Sequence, residues 1–187
     1  MDGTADGYES KYKKMEDYIL SNKLASSMIR LSNPYINYKE HDVNLRNGIA
    51  GVLNNEKSPD IYLMGTSIGA GSIASLAWEY PEIKKILLLE PALMPTGKLD
   101  LALQKFKGEI YIVVGDSDNA LGEEIGKLFY NASINAIKRE LVVIQNCDHH
   151  FSGSTNGRIL SQSPFWAFSE NKPKDFPNPI GGIELYK

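Results

Sequence analysis

The sequence has 187 residues, which is the length of one domain with a hydrophobic core of its own. With 42% hydrophobic and 23% charged residues, it has neither the composition of a disordered chain nor that of collagen. Its net charge of −3 offers no basic surface to nucleic acid, and its single cysteine, Cys147, cannot close an internal disulfide. The start has no apolar signal-peptide core, and no apolar run is long enough to span a membrane. We therefore expect a cytoplasmic globular protein that binds neither nucleic acid nor membranes.

Helices and strands alternate along the chain. Apolar side chains at steps of three and four predict amphipathic helices, whereas short, continuously apolar runs predict strands buried on both faces. Helices are expected over residues 8–22, from an N-cap at Asp42 to Leu53, from the turn at 65–69 to Tyr80, and over 99–106 and 121–132. Strands are expected over residues 24–31, 60–64, 84–90, 109–115 and 139–146. This alternation predicts a three-layer α/β/α sandwich with a mostly parallel sheet of about five strands.

The turn between the strand at 60–64 and the next helix has the pattern Gly65-Thr66-Ser67-Ile68-Gly69. A serine on such a tight turn projects its hydroxyl from the carboxyl end of the sheet, and we expect side chains at either glycine to collide with backbone. The N–H of Ile68 opens the helix and can hold a developing oxyanion. The pattern therefore predicts Ser67 as a nucleophile.

The same stretch is also similar to a cofactor-binding turn. Gly65, Gly69 and Gly71 have the spacing found in short-chain dehydrogenases, where glycine-rich backbone approaches a pyrophosphate, and Tyr80-x-x-x-Lys84 matches that family's catalytic pair. The position of the turn argues against this alternative, because a dinucleotide turn normally follows the first strand. Tyr80 would also end the helix that the turn begins, so we interpret it as a core or interface aromatic.

A serine nucleophile needs a base, and the base needs a carboxylate that orients it. His149 and His150 follow the last predicted strand, and Asp116 and Asp118 follow the strand before it. All of them therefore lie where open α/β sheets build their sites, at the carboxyl ends of strands. The spacing alone leaves both the acid and the base open between neighbours. His41 is interpreted as a neighbour of a helix start.

With its Ser, Asp and His in that order, the span 3–151 resembles the α/β-hydrolase fold, and most closely the small carboxylesterases and dienelactone-hydrolase-like enzymes. The resemblance implies a serine hydrolase that cleaves a small ester or thioester. By the family's motifs, the acid falls on Asp118 and the base on His149. Asp2-Gly3-Thr4 is similar to the family's oxyanion turn, which implies that the Thr4 N–H is the second oxyanion donor beside that of Ile68.

No metal site and no cofactor are predicted, because the chain has neither zinc-ligand nor EF-hand spacing. A catalytically poor hydrolase-fold protein that serves binding or regulation is the alternative function, and an NAD(P)-binding short-chain dehydrogenase-like protein is a further, less favoured one. Residues 1–187 are expected to form a single domain, with 161–187 as an irregular C-terminal extension.

The resembling fold has a strand before the oxyanion turn, and that strand would precede Met1. It would lie between the strands predicted at 24–31 and 60–64. We consider four arrangements for the place of this strand in the sheet. The two flanking strands pair directly, a tail strand around 183–186 lies between them, a second copy in a homodimer supplies a strand, or the start is truncated.

Overall fold

The structure is a computed structural model that describes residues 10–31, 38–94 and 99–180. Within these residues the centre of the fold is a parallel sheet of four strands, whose order in the sheet is their order in the chain. The strands are β1 (Ile61–Thr66), β2 (Ile83–Leu89), β3 (Glu109–Gly115) and β4 (Lys138–Ile144). Because all four run in one direction, their carboxyl ends meet at one edge of the sheet, which is where ligand sites form in open α/β folds.

Helices cover both faces of this sheet. The helices are α1 (Ser10–Ser21), α2 (Tyr38–Asn55), α3 (Ile68–Leu76), α4 (Leu99–Lys105), α5 (Gly122–Ala132) and α6 (Ser154–Phe168). Helices α2 to α5 pack on one face and helices α1 and α6 on the other. The α/β class and the predominantly parallel sheet predicted from the sequence are therefore confirmed. Among the described residues, no helix combines the length and the apolar character needed to cross a membrane.

Each central strand has a continuous apolar run because both of its faces have a helical layer to pack against. In β2, Ile86 and Leu88 belong to the core under α2 to α5, while Leu87 and Leu89 belong to the core under α1 and α6. All four side chains are completely buried. Alternate residues of one strand therefore fill two separate cores, which fixes the register of the sheet.

The prediction of a strand over 24–31 is wrong, so the described sheet has four strands instead of about five. This segment is irregular, and no backbone hydrogen bond joins it to β1 among the described residues. Asp42 is not an N-cap either, because α2 already begins at Tyr38. Local apolar content was sufficient to suggest a strand at 24–31, but a strand forms only where a neighbouring strand accepts its hydrogen bonds.

Helix α6 extends into the segment predicted to be irregular, so that 161–168 is helical. Pro164 lies inside this helix, where it removes one backbone donor. Burial compensates for that loss, because Trp166 is only 2% exposed and stacks on Phe176 with ring centroids 5.0 Å apart. Tertiary packing thus holds a helix that the local sequence disfavours.

Candidate functional site

Ser67 stands at the junction of β1 and α3 with a backbone that serine rarely adopts. Its φ of 53° and ψ of −120° lie in a strained region. Its N–H donates to the Leu89 carbonyl at 2.9 Å, and its own carbonyl accepts from Gly71 at 3.1 Å and from Ala92 at 3.0 Å. Three hydrogen bonds to two neighbouring segments therefore hold the strained turn in place.

The glycines around Ser67 have different reasons to be there. A Cβ on Gly65 would lie 2.8 Å from the backbone nitrogen of Ala70, as the sequence analysis expected. The same expectation is wrong for Gly69, because no atom lies within 4 Å of a Cβ built there. Gly71, to which the sequence analysis gave no steric role, is the most tightly packed of the three. Its Cβ would lie 2.3 Å from the carbonyl oxygen of Ala92, in the loop after β2.

This contrast predicts opposite effects for two alanine substitutions in one helix. Gly71→Ala should lower the free energy of unfolding by roughly 1–3 kcal/mol, because the Ala92 backbone must move. Gly69→Ala, the matched control, should leave it unchanged or raise it by up to about 1 kcal/mol through helix propensity. Urea unfolding of both variants tests this. Equal destabilisation by the two substitutions would contradict the packing described here.

Asp118 and His149 form a hydrogen-bonded pair at the carboxyl edge of the sheet. The Nδ1 atom of His149 lies 2.7 Å from Oδ2 of Asp118. The other oxygen of Asp118 accepts the N–H groups of Ala120 at 2.9 Å and Leu121 at 3.1 Å. The side chain of Asp118 is only 3% exposed and that of His149 is 24% exposed. The carboxylate is therefore fixed within the protein, while part of the imidazole ring reaches solvent.

Hydrogen bonding decides the charge of Asp118. Burial by itself raises the pKa of this carboxyl, but the Ala120 N–H, the His149 ring and the Leu121 N–H together outweigh burial and leave the pKa below its usual value. Asp118 is therefore ionised at neutral pH. An ionised carboxylate at Nδ1 favours the His149 tautomer that carries its proton there, which leaves Nε2 free to accept one.

The neighbouring candidates, Asp116 and His150, have other partners. Asp116 is exposed, and its Oδ1 accepts the N–H of Asn146 at 2.7 Å and the hydroxyl of Ser117 at 2.9 Å, so it links the loops after β3 and β4. His150 is exposed as well, and its ring stands edge-on to that of His149 at 5.3 Å. Of the candidate acids Asp116 and Asp118 and the candidate bases His149 and His150, the structure joins Asp118 to His149 by a hydrogen bond.

A third ionisable side chain, which the sequence analysis did not single out, lies beside this pair. Glu90 directly follows β2, is completely buried, and has a φ of 43°. One of its carboxyl oxygens accepts the Gly115 N–H, and the other has no hydrogen-bond partner among the described residues. Single oxygen or nitrogen atoms of Glu90, Asp118 and His149 lie within 4.8 Å of one another. These side chains are of the types that ligate metal ions, and within the trio Nδ1 of His149 is hydrogen-bonded to Asp118.

The two backbone donors expected for an oxyanion differ in what the structure describes. Ile68 is the first residue of α3, so its N–H has no acceptor within the helix. It adjoins Ser67 at the positive end of that helix, a position that favours negative charge. Thr4, with the rest of the turn at 2–4, lies outside the described residues.

A cavity of about 500 Å³ lies beside β1, on the side away from β2. The cavity is lined by the segment 24–31, by residues 59–66, and by α2, which contributes His41 and the apolar side chains of Leu45, Ile49 and Val52. His41 is 3% exposed, and neither ring nitrogen has a partner among the described residues. Direct pairing of 24–31 with β1, one of the arrangements considered above, is therefore not what the structure shows. The tail at 183–186 lies outside the described residues.

The alternative based on Tyr80 and Lys84 finds no support in the structure. Tyr80 follows the far end of α3 from Ser67 and receives a hydrogen bond from Arg46 at 3.4 Å. The amine of exposed Lys84 donates to the Pro81 carbonyl. Neither side chain therefore lies at the glycine-rich turn.

Comparison with solved structures identifies the fold. Est1E from Butyrivibrio proteoclasticus matches with a TM-score of 0.60 and 18% identity, over 69% of this chain and 68% of that one. A serine hydrolase homologue from Coxiella burnetii matches with a TM-score of 0.58 and 23% identity, over 71% and 61%. The esterase domain of a Rhodothermus marinus protein matches with a TM-score of 0.55 and 16% identity, over 67% and 64%. The chain has the α/β-hydrolase fold.

This chain matches less than two thirds of the length of the esterase domain and of the Coxiella protein. No protein-family model matches the sequence. The search of curated proteins likewise gives no match. The structural likeness therefore shows the fold, and a reaction can be inferred only from the residues of the candidate site.

Proposed function

We propose that this protein is a serine hydrolase that cleaves a small ester or thioester through an acyl-enzyme intermediate. The observation that carries the proposal is the 2.7 Å bond between His149 and a buried, ionised Asp118, at the same sheet edge as the strained Ser67 turn. A base held by a buried carboxylate and a serine on a sharp strand-to-helix turn are the parts that acyl transfer requires.

In the proposed reaction, the Ser67 hydroxyl attacks the substrate carbonyl while Nε2 of His149 takes its proton. Asp118 stabilises the imidazolium that forms, and the Ile68 N–H binds the oxyanion, with the Thr4 N–H as the proposed second donor. His149 then protonates the leaving alcohol or thiol, and the acyl group remains on Ser67. Water attacks this ester with His149 again as base, which releases the acid and restores the serine.

Two features support a small ester or thioester as substrate. The His149 ring is partly exposed, so the leaving group can depart into solvent. The cavity beside β1 is lined by Thr66 and Gly69, the residues that flank the Ser67–Ile68 pair, and offers apolar surface next to this turn. The solved structures with this fold include proteins described as an esterase and as a serine hydrolase homologue, which is the same class of chemistry.

Covalent labelling tests this function directly. The folded protein should react with a fluorophosphonate probe to give one adduct, and peptide mass spectrometry should locate it on Ser67. Protein unfolded in urea is the control and should not react, because the activated serine depends on the fold. A folded sample that neither labels nor hydrolyses p-nitrophenyl acetate would instead favour the catalytically poor binding protein.

A further inference from the structure

Glu90 carries a buried carboxyl that has no role in the proposed reaction. Its side chain is fully enclosed at the end of β2, and one oxygen is held by the Gly115 N–H at the end of β3. The second oxygen has no hydrogen-bond partner among the described residues. One carboxyl oxygen of Glu90 lies within 4.8 Å of single ligand atoms of Asp118 and His149. An enclosed carboxylate with an unpartnered oxygen beside a second carboxylate is strongly disfavoured.

We propose that Glu90 is a positioning residue, whose protonated carboxyl donates a hydrogen bond to Asp118 and thereby holds that carboxylate against the His149 ring. The proposal rests on the proposed function, since it concerns the same acid and base. It accounts for the oxygen without a partner, because a carboxyl that carries a proton becomes a donor.

The surroundings of Glu90 keep its proton in place at neutral pH. Burial raises the pKa of Glu90 to about 8, the bond from Gly115 works against this, and the negative charges of Asp118 and Asp148 add to it. The thiol of Cys147, also enclosed at the end of β4, has its pKa raised to about 12 by burial and stays neutral. His149 is the basic side chain of the group, and it is bound to Asp118 rather than to Glu90.

A pH dependence of the reaction follows from this arrangement. Below about pH 8, Glu90 is neutral and donates to Asp118. Above it, Glu90 loses the donor and becomes a second anion beside Asp118, which displaces the carboxylate that orients the imidazole. We therefore expect kcat/KM of the wild type to fall on the alkaline side with an apparent pKa of about 8.

Three variants separate positioning from a merely structural role. Glu90→Gln keeps a donor at all pH values, so kcat/KM at pH 7 should stay within about twofold of wild type and the alkaline decrease should disappear. Glu90→Leu has no donor and should lower kcat by about 10- to 100-fold with little change in KM. Glu123→Gln, an equal change in charge on α5, is the control and should keep the wild-type pH profile.

A melting series reports on the same proton without requiring activity. Unfolded Glu90 loses its proton near pH 4.3, whereas folded Glu90 keeps it to about pH 8, so the folded state binds the extra proton between these values. Wild-type stability therefore falls as pH rises through this window, and Glu90→Gln escapes that part of the loss. The Tm of Glu90→Gln minus the Tm of the wild type should therefore be larger at pH 7.5 than at pH 5.

An unchanged alkaline decrease in Glu90→Gln would overturn the positioning role while leaving the hydrolase intact. An equal Tm difference at both pH values would overturn the protonated state of Glu90. If the folded wild type neither labels with the fluorophosphonate nor hydrolyses esters, the proposed function fails and this role fails with it. The melting series still decides whether Glu90 is protonated in that case, so the two failures are distinguishable.

Discussion

Replacing Ser67 by alanine should abolish fluorophosphonate labelling and lower ester hydrolysis by on the order of 10⁴- to 10⁶-fold. Without the hydroxyl no acyl-enzyme can form, and only binding and the oxyanion donor continue to accelerate the attack of water. The fold should survive, since the turn is held by backbone hydrogen bonds that do not involve the hydroxyl. Circular dichroism and Tm would establish this before the rates are compared.

The matched control for this experiment is Ser117→Ala. Ser117 is an exposed serine after β3, and its hydroxyl contacts Asp116 at the same edge of the sheet. It should retain wild-type labelling and rate to within about twofold. Hydrolysis that persists in Ser67→Ala, or an adduct on another residue, would show that the nucleophile lies elsewhere.

Asp118→Asn should lower kcat by on the order of 10⁴-fold while leaving the protein folded. The amide oxygen can still accept the N–H groups of Ala120 and Leu121, so the loop is preserved. The amide nitrogen would then face Nδ1 of His149 as a donor, which favours the tautomer that cannot take the serine proton. Steady-state kinetics between pH 6 and 9 would measure the loss.

Asp116→Asn, two residues before Asp118, is the corresponding control. The Asp116 side chain accepts hydrogen bonds from Asn146 and Ser117, and among the described residues none joins it to Ser67, Asp118 or His149. Its substitution should therefore change kcat by less than about threefold. A loss in Asp116→Asn as large as that in Asp118→Asn would mean that the loop, rather than one carboxylate, is what the reaction needs.

Much of the fold could be predicted because each strand contains a continuous apolar run. The strand expected over 109–115 is β3 as observed, and the other buried strands differ from their predicted bounds by only a few residues. A run of this kind is stable only with a helical layer on each face, so the pattern determines its surroundings. The apolar residues of 24–31 do not by themselves determine a strand. Whether this segment pairs depends on whether another strand lies next to it in the fold.

The positions of the candidate site residues could be predicted from the strands that precede them. Ser67, Asp118 and His149 each stand just beyond the carboxyl end of a strand, and the parallel sheet brings those ends to one edge. Glu90 carried a signal of the same kind, since it is the single charge that ends the apolar run of β2 and its burial follows from that position. No signal in the sequence indicated the steric restriction at Gly71, because the atom that a Cβ would meet there is the Ala92 carbonyl oxygen, in the loop after β2.

The left-handed backbone of Ser67 also has a consequence for the evolution of stability. Of the six non-glycine residues with positive φ among those described, Ser67, Glu90, Asn146 and Phe151 all lie in the loops that follow strands at the carboxyl edge. Each such residue costs about 1–3 kcal/mol. Glycine would relieve Ser67 of that cost and remove its hydroxyl at the same time. The substitution that relieves the backbone at position 67 would therefore remove the proposed nucleophile, so stability and the proposed activity make opposite demands on this position.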